Sequence, residues 1–108
     1  MTRTLERNAY PAPVDHAAVR ADWMAEGFSF GVFRDPPGQE WNGFVHDTDE
    51  YVAVAEGRLR ISVGQKTAEA EPGDLIRIPA GAVHSLKTLS PAGSVWLYGY
   101  GHWREGDA

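Results

Sequence analysis

From Phe28 to Tyr100 the apolar residues fall on alternate positions in short runs, and glycine or proline cuts run from run. Leu59, Ile61 and Val63 interleave with Arg58, Arg60 and Ser62. Successive side chains on a strand point to opposite faces, so this segment has one face in a core and the other in water. The same period carries Phe28, Phe30 and Val32 as a first strand, then residues 40–46, 51–55, 66–70, 75–78, 83–89 and 94–100. Between them stand Asp35-Pro-Pro-Gly38, Glu56-Gly57, Gly64-Gln65, Glu71-Pro-Gly-Asp74, Pro79-Ala-Gly-Ala82 and Ser90-Pro-Ala-Gly93, the residue types that tight turns demand. Short strands with such punctuation roughly every 8 to 12 residues specify an all-β sandwich or barrel.

The first part of the chain reads differently. Residues 1–13 form an extended arm, held open by Tyr10-Pro-Ala-Pro13 because proline fixes its own φ and restricts the residue before it. Such an arm either frays or lies along a neighbour. Asp15 then caps a short helix over residues 17–26, with Val19 and Trp23 on one face and Gly27 as its stop. Residues 14–108 make one barrel domain with this helix as a cover, and 108 residues suffice for one core.

Charge and composition exclude several partners. The formal charge is −5 and the ten Lys and Arg are scattered, which argues against phosphate neutralisation and hence against nucleic acid. No apolar run approaches the roughly 20 residues that cross a bilayer, and Met1-Thr-Arg-Thr-Leu-Glu-Arg7 lacks the apolar centre of a secretory signal. The expectation is a cytoplasmic protein with no membrane partner and a small-molecule ligand. Surplus aromatics, the arm and open sheet edges point to a homodimer.

Chemistry concentrates in two turns. His46 and Glu50 flank the polar turn Asp47-Thr48-Asp49, and His84 follows the Pro79-Ala-Gly81 turn. If those turns adjoin, two imidazoles and one carboxylate converge, the inventory of a two-His, one-carboxylate metal site. Phe44 shares a strand face with His46, and Val52 and Val54 share one with Glu50. Cysteine is absent, so thiolate-bound metals and a thiol nucleophile are excluded, and the donors suit a divalent transition ion such as iron, manganese, nickel or zinc. Asp47 and Asp49 lack the spacing of an EF-hand loop and read as a solvated turn. Trp41, Trp96, Tyr98, Tyr100 and Trp103 either line a pocket for a ring-bearing or sugar ligand or serve as core and subunit interface. Phe44, Val52, Trp96 and Tyr98 are the expected pocket-lining set, and His16 and His102 are surface residues. No nucleophile elbow is present.

The spacing from Gly38 through Phe44-Val45-His46 and Glu50 to Gly57, followed by Gly73, Pro79-Ala-Gly81, His84 and Thr88, resembles the two signature motifs of the cupin superfamily. Phe44 stands where the first motif has its first histidine, and Thr88 where the second has asparagine. The resemblance implies a double-sheet jelly roll enclosing a divalent metal held by three histidines and a glutamate, a set carried over here as His46, Glu50 and His84. With Phe44 in place of the remaining ligand, two readings stand. Either the metal is kept, with water or substrate in the vacated position, or the three polar residues form a metal-free cluster that binds an organic ligand. A buried carboxylate without a cation is costly, which favours the metal. The implied function is a metal-binding protein acting on or sensing a small polar molecule, through metal-dependent oxidation or isomerisation of dioxygenase or isomerase type. The alternative is a non-catalytic ligand-binding or regulatory module.

Overall fold

In the computed structural model, which describes residues 4–103, the elements run β1 (Leu5–Glu6), α1 (His16–Ala25), β2 (Gly31–Asp35), β3 (Glu40–Phe44), β4 (Asp49–Glu56), β5 (Leu59–Val63), β6 (Lys66–Ala70), β7 (Leu75–Ile78), β8 (His84–Thr88) and β9 (Ser94–Gly101). They form a five-stranded sheet in the order β1-β7-β4-β9-β2 and a four-stranded sheet in the order β3-β8-β5-β6. All the pairings are antiparallel. The expected all-β jelly-roll barrel with one N-terminal helix is the fold observed.

The burial of β4 explains the layering. Its residues from Glu50 to Ala55 are all buried, which an alternating strand achieves only if both faces are covered. On one face Val52 and Val54 join Leu59, Ile61, Ile76, Ile78, Leu86 and Trp96 in the core between the two sheets. On the other, Tyr51, Ala53 and Ala55 pack with Val19, Trp23, Phe28, Leu75, Val95 and Leu97 under the helix. Three layers result: helix, five-stranded sheet, four-stranded sheet. Each fully buried aliphatic side chain contributes roughly 1.5–3 kcal/mol to holding them together.

The helix is built from the residues the sequence marked. Asp15 Oδ1 accepts from the Ala17 and Ala18 backbone N–H groups at 2.9 and 3.4 Å, satisfying donors the first turn leaves free. Val19 and Trp23 lie one turn apart and are both buried. Trp23 stacks on Tyr51 of β4 at 5.3 Å between ring centroids. Among the described residues, no helix is long and apolar enough to cross a membrane.

Two segments differ from the sequence expectation. Part of the arm is a strand of the chain's own sheet: Leu5 pairs with Ile76 and Glu6 with Leu75. Beyond it, Tyr10 N–H donates to the Gly73 carbonyl at 3.0 Å, and Arg7 meets Asp74 at 2.8 Å. Without β1 the backbone of β7 would be an open edge, and covering it supplies those hydrogen bonds. Residues 1–3 of the expected arm and 104–108 of the expected domain lie outside the described residues. The second difference is the first long strand, which starts at Gly31 instead of Phe28. Phe28 packs on Tyr51 at 4.6 Å and Phe30 on Trp23 at 5.8 Å, so the apolar surface of the helix layer takes both rings before strand pairing begins. Consequently Phe33, and not Val32, meets Trp96 across the barrel side of the sheet, at 4.8 Å.

Candidate metal centre

The turns that carry the polar residues do lie side by side. Gly81 N–H donates to the His46 carbonyl at 2.9 Å, and Ala80 N–H to Asp49 Oδ1 at 2.8 Å. The second oxygen of Asp49 accepts from Trp103 N–H at 2.8 Å. Asp49 therefore ties together the turn before β4, the turn before β8 and the end of β9. It is half-buried, where a solvated turn residue was expected. Its partners are 31 and 54 residues away along the chain, and no local pattern announces them.

Glu50 begins the buried face of β4 and is paired on both sides, with Ile78 of β7 and Tyr100 of β9. Its backbone is thereby fixed in mid-sheet. His84 opens β8, opposite Phe44 on one side and Val63 on the other. A bulge in β3 between Trp41 and Phe44 turns on Gly43, whose φ of 68° only glycine adopts freely and whose N–H donates to Ser85 Oγ at 3.1 Å. The extra residue changes the register that delivers Phe44 and His46 to the end of the barrel.

There the three candidate ligands meet. One ligand atom each of His46, Glu50 and His84 lie within 4.8 Å of one another. Glu50 Oε1 is 3.3 Å from His84 Nε2 and 3.7 Å from His46 Nε2. Glu50 and His84 are each 3% exposed; His46 is partly open to solvent. The close approach of Glu50 to His84 lacks hydrogen-bond alignment, so Oε1 is a buried oxygen with no donor. Such an atom is expensive unless a positive partner reaches it.

Histidine tautomers sharpen the point. His84 Nδ1 lies 3.1 Å from the Ala82 carbonyl; a carbonyl only accepts, so Nδ1 carries the proton. Nε2 then either takes a second proton or turns a lone pair towards the carboxylate. A cation between the two atoms resolves that conflict, and an imidazole oriented through its far nitrogen by a carbonyl is the usual support of a metal ligand. Burial, the largest influence on His84, disfavours its charged form. The polar contact with Glu50, the Ala82 carbonyl and the Glu50 charge together outweigh it and raise the pKa above the ordinary value.

The aromatic neighbours complete the surroundings. Phe44, 38% exposed, lies 6.3 Å from the His46 ring and 6.2 Å from His84; it brings an apolar face and no ligand atom. Tyr100 meets His46 edge-on at 5.1 Å. Burial, the Glu50 charge and Tyr98 push the Tyr100 phenol up to about 12, so it stays protonated at neutral pH. Of the remaining pocket candidates, Val52 is fully buried in the core between the sheets, Trp96 is buried and Tyr98 is half-buried beside it. Asp35 was read only as part of a turn. Its Oδ2 accepts both the Trp41 and the Trp96 indole N–H, at 2.9 and 2.8 Å, and so bridges β3 to β9 across the sandwich.

Comparison with known proteins agrees with this architecture. A family profile described as the cupin domain matches residues 31–99. No curated protein matches the chain. Among solved structures, the cupin domain of Cnp3 from Schizosaccharomyces pombe superposes with a TM-score of 0.66 at 18% identity, over 70% of this chain and 53% of that one. The chain thus spans about half the length of that relative. A protein of unknown function from Rhizobium leguminosarum bv. viciae gives 0.63 at 26% identity, over 70% and 71% of the two chains. An RmlC-like cupin from Shewanella frigidimarina gives 0.63 at 18% identity, over 75% and 71%.

Proposed function

The chain belongs to the cupin family, and from that premise we propose that it holds a divalent transition ion (iron, manganese, nickel or zinc) between His46, Glu50 and His84 and presents a small polar molecule to it. The observation that carries this reading is Glu50 Oε1, buried, without a hydrogen-bond donor and 3.3 Å from an imidazole nitrogen. Buried carboxylates in that condition are found paired or on metals. Imidazole and carboxylate suit those ions.

When bound, such an ion supplies Lewis-acid polarisation of substrate oxygens, the chemistry behind oxidation or isomerisation of a chelating molecule. The protein's own groups do the rest. The strands on both sides of Glu50 hold its carboxylate in place, and the Ala82 carbonyl orients the His84 ring. Phe44 leaves one side without a protein ligand and lines it with an apolar ring. Tyr100, kept protonated, offers a hydrogen bond to a molecule beside His46. A metal-free ligand-binding or regulatory module is the second reading, and Phe44 in place of a ligand is what favours it.

Elemental analysis of the purified protein separates the two. About one equivalent of transition metal per chain is expected after reconstitution, with His84→Ala losing uptake while its circular dichroism stays native. Less than about a tenth of an equivalent in the wild type, unchanged by added metal, defeats the metal reading. Wild-type uptake by His84→Ala shows the ligand assignment wrong.

We further assign the protein to the cytoplasm as a homodimer. The edge strand β2 and the exposed Val32, Val45 and Val83 support self-association, because open edges and exposed apolar side chains favour a partner. Sedimentation is expected to give twice the chain mass; a monomer at working concentration refutes the dimer.

A further inference from the structure

The rings near the metal centre close on themselves. Phe33 stacks on Tyr98 at 4.8 Å, Tyr98 meets Tyr100 at 5.7 Å, and Tyr100 meets His46 at 5.1 Å. His46 faces Phe44 at 6.3 Å, Phe44 reaches Trp41 at 6.0 Å, and Trp41 returns to Phe33 at 5.8 Å. These contacts run around a circuit of six rings drawn from both sheets. None of the six is fully buried, although aromatic clusters of this size ordinarily lose their exposure by packing into a core.

Two features hold the circuit in shape. Trp96 lies against Phe33 at 4.8 Å and against Tyr98 at 6.0 Å, and its indole N–H is fixed by Asp35, the same oxygen that fixes Trp41. Gly31 pairs with Tyr98, and a Cβ on it would run into the Tyr98 ring. Glycine at this position lets that ring lie across the strand and stack on Phe33. At one end of the circuit stand His46 and, beyond it, Glu50 Oε1 and His84.

We propose that this circuit seats an aromatic ring, and that the ligand is a ring-bearing molecule whose oxygen donors reach the centre at His46, Glu50 and His84. The proposal rests on the metal reading for the oxygen end, and on ring packing alone for the other. Aromatic pairs prefer centroid separations of about 4.5–7 Å in offset or edge-on arrangements, the spacing at which the wall rings already stand from their neighbours. Phe33, Phe44 and Trp41, whose N–H is already taken by Asp35, offer only ring faces and edges, a wall that suits a flat aromatic body.

Mandelate and lactate test it, because they share one 2-hydroxy acid donor set and differ by a phenyl for a methyl. On metal-reconstituted protein, followed by quenching of tryptophan fluorescence and by calorimetry, mandelate is expected to bind about 10-fold tighter than lactate. Phe33→Leu, which keeps apolar bulk and loses the ring, is expected to bring that ratio towards one with metal content unchanged. Equal affinities on fully metal-loaded wild type, or no measurable mandelate binding, overturn the aromatic seat and leave the metal reading standing. Metal content on the same samples identifies the opposite failure: with no metal taken up the metal reading falls, and the mandelate-to-lactate ratio on the metal-free protein still decides the seat.

Discussion

Glu50→Gln is expected to strip the centre of its metal and, in the same stroke, to make the metal-free protein more stable. Glu50 is 3% exposed and its Oε1 has no donor; an amide of the same shape removes a buried charge and brings donors of its own. Relief of such a group is worth about 1–3 kcal/mol, which for a domain of this size is several degrees in Tm, since roughly 4–8 °C accompany each kcal/mol. Loss of a carboxylate ligand costs more than about 100-fold in metal affinity, because mere outer partners of ligands are worth 10–100-fold. The measurement is a pair of melts at alkaline pH, one with chelator and one with metal. The variant should melt above wild type in chelator, and only wild type should gain when metal is added. A variant that melts below metal-free wild type sinks the account of Glu50 as an uncompensated carboxylate.

Trp23→Ala should be the most damaging single truncation outside the barrel interior, at about 3–5 kcal/mol. The side chain is 1% exposed, stacks on Tyr51 at 5.3 Å and meets Phe30 at 5.8 Å. It also lies against Gly99, where a Cβ would press on its ring. Domains are stable by only about 5–15 kcal/mol in total, so the helix layer should loosen or the chain unfold below physiological temperature. Trp23→Phe retains most of the packing and should lose clearly less. Urea midpoints give both values, and a loss under about 1 kcal/mol for the alanine variant contradicts the layered core. Metal content should survive in the phenylalanine variant. Tyr51 and Glu50 are successive residues of β4 and point to opposite faces of the sheet, so the helix side and the side of the candidate metal centre are separate environments on one strand.

The period-two alternation, the glycine and proline turns, the Asp15 cap with Val19 and Trp23 on one face, and the two motifs around His46, Glu50 and His84 were all legible in the chain itself. Each of these is local: strand period, turn conformation and capping are decided by residues within a few positions of one another. The convergence of two distant turns was a condition that the cupin resemblance implied, and the hydrogen bonds from Gly81 and Ala80 to residues 46 and 49 realise it. What the tertiary structure decided is the set of contacts made across long separations. Asp49 became a clamp, Asp35 a double acceptor joining two sheets, part of the arm an edge strand, and Phe33 the ring that turns to the barrel. None of these can be read from a neighbourhood in sequence. Apart from Trp41, six residues from Asp35, the partner that satisfies a carboxylate, covers a sheet edge or stacks on a ring is supplied from tens of residues away, and only packing of the layers brings it into reach.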